Sequence, residues 1–280
     1  MKLTMNRLNK FWLMPVRDNI LNRGNEHTLS LTDWPEDSLS EDYLLGRKII
    51  LFQPKQGFRA SIDAVFMAAA VPAKKGQRIF EAGSGSGAAA LCLAQRVADI
   101  QIVGIEILPE MVSLASYNIR VNGKAEHVTV INGDITGLQP PNLYGVFDHA
   151  MVNPPFLKDT DGNLPKNPIK ARAKTLSEYS LADWISGICM NIKRRGTITM
   201  IWRADRLDCA LTALHKEFGE ICLFPFWPKL GKSAKRVLIR ARKGVKSPMK
   251  LSAGLTVHKD TGEYTCACES VLKYGQPLVF

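Results

Sequence analysis

The sequence predicts an α/β protein in which helices cover both faces of a doubly wound, mostly parallel sheet. From residue 48 onward, short apolar segments alternate with helical patterns, as is typical of parallel strands joined by crossover helices. Only Pro228–Ser233 separates the last two strands, and that length suits a hairpin, so one strand near the end should be antiparallel. Hydrophobic residues make up 46% of the chain, which provides a core and excludes a mostly disordered or collagen-like protein.

Each element has its own local signal. One helix should begin after Ser61, a suitable N-cap, and stop before Pro72. Another starts at Pro109, which suits a first helical turn, and ends at Asn122, before Gly123. Two later helices carry apolar stripes at 3.6 residues per turn, at Leu181, Trp184, Ile185, Ile188 and Ile192 and at Leu207, Leu211, Leu214 and Phe218. The predicted strands are Lys48–Gln53, Arg78–Ala82, Gln101–Glu106, His127–Ile131, Phe147–Val152, Thr197–Trp202, Ile221–Phe226 and Arg236–Arg242.

The chain divides into three predicted parts. Residues 1–45 contain clusters of Asn, Asp, Ser and Pro without sustained periodicity, and we expect a loosely ordered arm there. Residues 46–250 hold the alternating strands and helices and form the main domain. Residues 251–280 are expected to be a tail that packs on the core.

The charge balance favours a polyanionic partner such as nucleic acid. Lys and Arg number 37 against 26 Asp and Glu, a net charge of +11, although a solvated basic surface would give the same balance. No apolar run reaches the roughly 18 residues of a membrane span. Four of the six cysteines lie in apolar runs, and the spacing of Cys266 and Cys268 fits neither a zinc ribbon nor a redox pair. We therefore expect reduced thiols, no metal and a cytoplasmic location.

Ile79–Gly87 forms a glycine-rich turn between the first core strand and its helix. Gly83, Gly85 and Gly87 let the backbone approach a ligand closely, and the helix N-terminus that follows presents free N–H groups. Glu106 ends the next strand 19 residues after Gly87, where a carboxylate can accept both hydrogen bonds of a ribose diol. These features predict an adenosine-type cofactor and leave NAD and S-adenosylmethionine open.

Two acidic residues help to separate those cofactors. Glu81 stands two residues before Gly83, where a carboxylate suits a cofactor with a positive amino group rather than a pyrophosphate. Asp134 closes the third core strand and can accept a hydrogen bond from the amino group of adenine, its alternative role being that of a turn-forming Asx residue.

The tetrapeptide Asn153–Phe156 follows the fourth core strand, at the sheet edge where α/β proteins bind ligands. Pro154 and Pro155 hold the backbone extended, so the Asn153 side-chain oxygen and the Pro154 carbonyl can both accept from one planar NH2 group. Phe156 offers a face on which a base can stack. An Asn-Pro turn with no ligand is the alternative, but the glycine turn, Glu106 and Asp134 stand at matching strand ends.

With these motifs the chain resembles the class I S-adenosylmethionine-dependent methyltransferases that modify amino nitrogens. The resemblance covers roughly residues 45–245, includes the upstream segment Phe52–Asp63, and is nearest to the bacterial tRNA1(Val) adenine-37 N6-methyltransferase family. It implies a seven-stranded sheet in the order 3-2-1-4-5-7-6. It also implies that S-adenosylmethionine contacts Glu81, Ala82, Gly83, Ser84, Gly85, Gly87, Glu106, Ile107, Asp134, Ile135 and Asn153. Catalysis would fall to Asn153, Pro154, Pro155 and Phe156.

The expected function is methylation of an exocyclic amino group in RNA, with adenine N6 in tRNA as the first choice. An rRNA guanine-N2 enzyme, a protein-glutamine N5 enzyme and an RNA-binding protein with an idle methyltransferase fold are the alternatives. RNA contacts are expected from the loop 157–180 and from the basic stretch 229–250, which contains nine Lys or Arg and no acid. A charged edge hairpin that blocks strand pairing is the competing interpretation of that stretch. His149 is expected to be packed rather than catalytic.

Overall fold

The computed structural model describes residues 34–35, 37–57, 59–137, 143–155 and 180–279. An N-terminal hairpin, β1 (Leu39–Leu44) and β2 (Ile49–Pro54), precedes the main sheet. The other strands are β3 (Arg78–Ala82), β4 (Gln101–Glu106), β5 (Val128–Asn132), β6 (Phe147–Val152), β7 (Ile192–Arg203), β8 (Phe218–Trp227), β9 (Arg236–Lys243), β10 (Lys250–Leu251) and β11 (Leu255–Thr256). The α-helices are α1 (Ile62–Ala70), α2 (Ala88–Arg96), α3 (Pro109–Val121), α4 (Leu181–Asn191), α5 (Leu207–His215) and α6 (Cys266–Tyr274).

The main sheet has the strand order β10-β8-β9-β7-β6-β3-β4-β5, and β11 pairs with the end of β8. Every pairing is parallel except those of β9, which runs antiparallel to both β7 and β8. The α/β class, the mostly parallel sheet and the late hairpin are therefore confirmed. Counted from β3, the seven long strands lie in the order 3-2-1-4-5-7-6, and the two-residue strands β10 and β11 extend the sheet beyond those seven.

The N-terminal hairpin differs from the sequence-based expectation. Leu39–Leu44, placed by the sequence in a loosely ordered arm ending at residue 45, pair antiparallel with Ile49–Pro54 along their whole length. All six residues of the strand LSEDYL are only half-buried. Its sequence accordingly lacks the alternation of apolar and polar residues by which a strand is recognised. Residues 1–33 of the predicted arm lie outside the described residues.

Two asparagines of α3 attach β2 to the main domain. Asn122 accepts from the Ile50 N–H at 2.9 Å and donates to the Ile50 carbonyl at 2.7 Å. Asn118 makes the same pair of bonds with Phe52, both at 2.9 Å, and also donates to the carbonyl of Ser86 in the glycine turn. The side-chain amides thus stand in for a neighbouring strand and fix the hairpin next to that turn.

We expect Asn118→Ala to be strongly destabilising. Asn118 is completely buried, and its loss would leave the N–H and C=O of Phe52 and the C=O of Ser86 without these partners. Each unsatisfied buried group costs about 1–3 kcal/mol, so the free energy of unfolding should fall by about 3 kcal/mol or more. Urea unfolding measures it, and Asn132→Ala, which removes a strand-end amide donor that bonds the carbonyls of Glu106 and Ile107, is the control expected to cost less. Equal losses in the two variants would contradict the role of Asn118.

The C-terminal tail joins the core layer of α1 and α2. Val257, Cys268 and Val271 are buried in that layer, and the Leu278 N–H donates to the Ala69 carbonyl at 2.9 Å. All six cysteines have free thiols. Within the part of the chain that the structure describes, no helix is both long and apolar enough to cross a membrane.

Candidate active site

The glycine turn after β3 is fixed against β4. The N–H groups of Gly83 and Ser84 both donate to the Ile105 carbonyl, at 2.9 and 3.1 Å. Gly83 has a φ of +73°, and a side chain there would meet the Trp184 ring of α4 at 3.1 Å. Only glycine suits both the left-handed backbone and the close approach of the indole. The turn therefore lies between β4 and Trp184, with α2 starting directly after it.

One cleft brings together five of the predicted site residues. It encloses about 120 Å³ and is lined by Glu81, Gly83, Ser84, Gly85 and Asn153. Its remaining walls come from residues that were not predicted, namely Arg59, Ala60, Ala64, Met67, Ser86, Ala88, Ala89 and Met111. The cleft opens at the carboxyl ends of β3 and β6, because these neighbouring strands are parallel and Ala82 pairs with Val152.

Glu81 is the electrostatic centre of the cleft. Its side chain is 2% exposed, and its Oε2 has no hydrogen-bond partner among the described residues. Burial raises the pKa of the Glu81 carboxyl to about 8, and the nearby Glu106 carboxylate adds to the rise. A buried, unpartnered carboxyl oxygen in a cleft is costly unless a ligand supplies a donor. A cationic amino group satisfies this requirement, so the Glu81 carboxyl fits the methionine end of S-adenosylmethionine.

Glu106 ends β4 as predicted, and it is bound to the glycine turn. One carboxylate oxygen accepts from the Gly85 N–H at 2.9 Å and the other from the Leu108 N–H at 3.1 Å. Burial raises the pKa of the Glu106 carboxyl, and the bonds from Leu108, Gly85 and Ile107 oppose that rise. Glu106 therefore couples the end of β4 to a residue that lines the cleft.

Asp134 follows β5 and has the geometry of an Asx turn. Its Oδ1 accepts from the N–H and from the hydroxyl of Thr136, both at 2.8 Å. This is the alternative role that the sequence offers for Asp134, and the contact with adenine stays a prediction. Ile135 is packed in the core, as is Ala82, while Ile107 packs partly buried beside the start of α3.

Asn153 stands directly after β6, half-buried, and its side chain makes no hydrogen bond with another described residue. Pro154 is buried and Pro155 half-buried. The amide of Asn153 is therefore available at the wall of the cleft. Phe156, and the predicted RNA loop 157–180 up to residue 179, lie outside the described residues.

Arg59 is a cleft residue that the sequence analysis missed. Its guanidinium donates to Ser40 Oγ, to the Pro54 carbonyl and to Asp42 Oδ2, each at 2.7 Å. The segment Phe52–Asp63 resembles the corresponding segment of the family, and that likeness is the signal in the sequence that points to Arg59. The partners in β1 were hidden because β1 was not predicted.

His149 is structural, as expected. It lies within β6, where it pairs with Ile79 and not with the strand end that carries Asn153. Its ring nitrogens bond Thr197 Oγ1 at 2.7 Å and Gln77 Oε1 at 2.9 Å. Burial lowers the pKa of His149 to about 4, so the ring is neutral at pH 7.

Comparisons with known proteins find similarity to methyltransferases. A family model, Protein-L-isoaspartate(D-aspartate) O-methyltransferase, matches residues 55–147, about a third of the chain. The match ends before Asn153, so it covers the cofactor side of the cleft and leaves the acceptor side untouched. A solved structure described as a predicted O-methyltransferase from Agrobacterium tumefaciens superimposes with a TM-score of 0.64 at 22% identity, covering 78% of this chain and 98% of that one.

Two curated sequence relatives carry the name tRNA1(Val) (adenine(37)-N6)-methyltransferase. The protein of Aeromonas hydrophila is 26% identical over 212 residues, which is 74% of this chain and 85% of the relative. That of Actinobacillus succinogenes is 27% identical over 210 residues, with the same coverage of both chains.

The fold, the cleft and these likenesses define an S-adenosylmethionine-dependent methyltransferase with a Rossmann-like domain. Within this class the chain is similar to proteins named tRNA1(Val) (adenine(37)-N6)-methyltransferase along most of their length.

Proposed function

We propose that this protein methylates the exocyclic N6 amino group of an adenine in tRNA. The observation that carries the proposal is that Asn153, whose side chain can accept from an amino group, and Glu81, which can hold a cationic cofactor, line one cleft. The names of the curated relatives support adenine and tRNA as the substrate class. The net charge of +11 suits a polyanionic substrate, and with tRNA as that substrate we expect a cytoplasmic location.

On this proposal the chain holds the cofactor through its acidic residues. S-adenosylmethionine supplies an electrophilic methyl group when bound. Glu81 receives the ammonium group, which provides the donor that its Oε2 lacks. Gly83 and Gly85 border the methionine part, Glu106 receives the ribose hydroxyls, and Asp134 the amino group of adenine.

Asn153 and Pro154 position the target. The Asn153 side-chain oxygen and the Pro154 carbonyl accept hydrogen bonds from the two N–H groups of the target amino group. These two bonds orient the nitrogen lone pair into the cleft. Pro155 keeps the backbone extended, and Phe156 stacks on the base. His149 does not act as a base in this scheme, because both of its ring nitrogens are already bonded to Thr197 and Gln77.

The test is transfer of a labelled methyl group from S-adenosylmethionine to bulk tRNA, rRNA and total protein, followed by nucleoside and amino-acid analysis. The proposal expects label in tRNA as N6-methyladenosine. Label recovered as N2-methylguanosine in rRNA or as N5-methylglutamine in protein would replace it with one of the alternatives. Cofactor binding without transfer to any of the three substrates would overturn it.

A further inference from the structure

We propose that the RNA docks on the loop between β8 and β9, residues 228–235, and that the cations at the far end of β9 do not contact it. The inference rests on the proposed function and deepens it, because it assigns RNA binding to one part of the basic stretch 229–250. We call residues 228–235 the edge loop.

Strand direction places the edge loop beside the active site. β8 is antiparallel to β9, which is antiparallel to β7, so β8 runs parallel to β7 and β6. Trp227, at the end of β8, therefore lies at the same end of the parallel strands as Asn153. Three strand spacings separate β6 from β8, about 14 Å across the sheet. A folded RNA that presents one base to the cleft can reach the edge loop with its backbone.

The edge loop carries charges that are open to a ligand. Lys232 and Lys235 are exposed, and neither ammonium group forms an ion pair with a described residue. Lys229 donates to the Asp260 carbonyl at 2.9 Å. Arg236, at the start of β9, bonds Asp63 of α1 at 3.1 Å, and the next residue of α1, Ala64, lines the active-site cleft. The first turn of α1 thus contacts both the start of β9, directly after the edge loop, and the cleft.

The cations at the end of β9 lie at the opposite end of the strands and are partly used inside the fold. Lys243 donates to the Cys189 and Ile192 carbonyls, at 2.6 and 2.9 Å. Arg242 is paired with Glu220 at 2.9 Å. These contacts anchor the end of β9 and do not depend on a nucleic acid.

Two exposed lysines, Lys216 and Lys246, lie far from Asn153 at this opposite end. Lys216 stands two residues before Phe218, where β8 begins. Lys246 lies beside Gly219, about 26 Å before Trp227. They have the charge and exposure of Lys232 and Lys235 but the wrong location, so they provide a matched control.

A groove next to Lys232 indicates what part of the RNA binds there. It encloses about 560 Å³ between the edge loop and the turn before β11, and Trp227, Leu230, Ser233, Gly254 and Thr256 form its walls. Leu230 is 82% exposed, although it is large and apolar. Cations that hold phosphates beside apolar or aromatic surface that receives bases are the combination by which proteins bind unpaired nucleotides. We assign the groove to an unpaired nucleotide of the RNA, with its phosphate at Lys232 and Lys235.

The experiment compares the double variant Lys232→Glu/Lys235→Glu with the control Lys216→Glu/Lys246→Glu. Fluorescence anisotropy with bulk tRNA as the probe measures the Kd between about 50 and 200 mM salt. The edge-loop variant should bind at least about 10-fold more weakly, with a shallower salt dependence, while the control pair stays within about threefold of the native protein. Leu230→Ser should weaken binding at an unchanged salt slope, because it removes no charge.

Equal weakening by both double variants, or unchanged affinity in the edge-loop variant, would overturn the inference. Thermal unfolding and affinity for S-adenosylmethionine check that the variants fold and keep the cofactor site. If the native protein binds tRNA through the edge loop but transfers no methyl group to it, the proposed function fails and the docking surface stands. If the native protein methylates tRNA and the edge-loop variant binds tRNA unchanged, the docking surface fails and the function stands.

Discussion

Asn153→Ala should lower kcat for methyl transfer by about 10²-fold or more and leave the affinity for S-adenosylmethionine within a few-fold. Asn153 stands at the cleft wall with its amide available, directly after β6, and the proposed role of that amide is to orient the target nitrogen. Without it the amino group keeps at most one protein acceptor, and its lone pair is no longer directed into the cleft. The side chain makes no hydrogen bond with a described residue, so its removal should cost little stability.

Single-turnover methylation and calorimetric titration of the cofactor separate these two effects. Asn153→Asp keeps an oxygen acceptor at the same place and should retain more of the rate than the alanine variant. A parallel loss of cofactor affinity and rate in Asn153→Ala would show that the residue serves the cofactor site rather than the acceptor. Unchanged kcat would remove Asn153 from the mechanism.

Glu81→Gln should weaken the binding of S-adenosylmethionine by about 10- to 100-fold, the usual range for losing a charged hydrogen bond. Burial holds the pKa of Glu81 at about 8, so at pH 7 the carboxyl is protonated in the ligand-free protein. Binding an ammonium group stabilises the ionised form, and the proton must leave. Titrations at pH 7 in buffers of different ionisation enthalpy should therefore detect proton release by the native protein and none by the variant.

Glu81→Gln weakens cofactor binding, but it should stabilise the folded protein relative to the native one as pH rises. The unfolded chain releases the Glu81 proton near its ordinary pKa of about 4.3, whereas the folded protein keeps it up to a pH of about 8. The unfolded state is thus favoured increasingly as pH rises through this interval, and the loss of stability is complete above pH 8. Glu81→Gln removes this term, so its Tm relative to that of the native protein should rise from pH 5 to pH 8.

Glu126→Gln makes the same atomic change on an exposed residue and serves as the control for both measurements. The idea of a buried acidic anchor for the cofactor would not survive a Glu81→Gln variant that bound S-adenosylmethionine normally. A difference in Tm that did not depend on pH would contradict the raised pKa.

The sequence could predict the centre of the site because one rule governs it. Glu81 and Asn153 are 72 positions apart, yet each stands at the end of a strand, and the ends of neighbouring parallel strands meet. Arg59 escaped prediction because its place depends on three acceptors around the hairpin, at Ser40, Asp42 and Pro54, and the polar strand β1 has no recognisable pattern.

The basic stretch illustrates a different limit of a linear sequence. Lys232 and Lys246 belong to one basic stretch without acidic residues, but β9 reverses the chain direction between them and separates them by the height of the sheet. Local sequence contains the charges and the hairpin length. It does not reveal that the Lys243 ammonium group is already bound to the carbonyls of Cys189 and Ile192, because those contacts depend on the folded structure.

The asparagine pair on α3 also sets a distance scale for the N-terminal hairpin. Four residues of helix advance about 6 Å, and two residues of strand about 6.7 Å, so Asn118 and Asn122 match alternate residues of β2 with little mismatch. Sliding the hairpin by one residue would turn the wrong backbone groups toward α3, and sliding it by two would leave one amide without a counterpart. The helix therefore fixes the register of the hairpin against α3. Because Arg59 is bonded to the hairpin, the same contacts fix its position at the cleft.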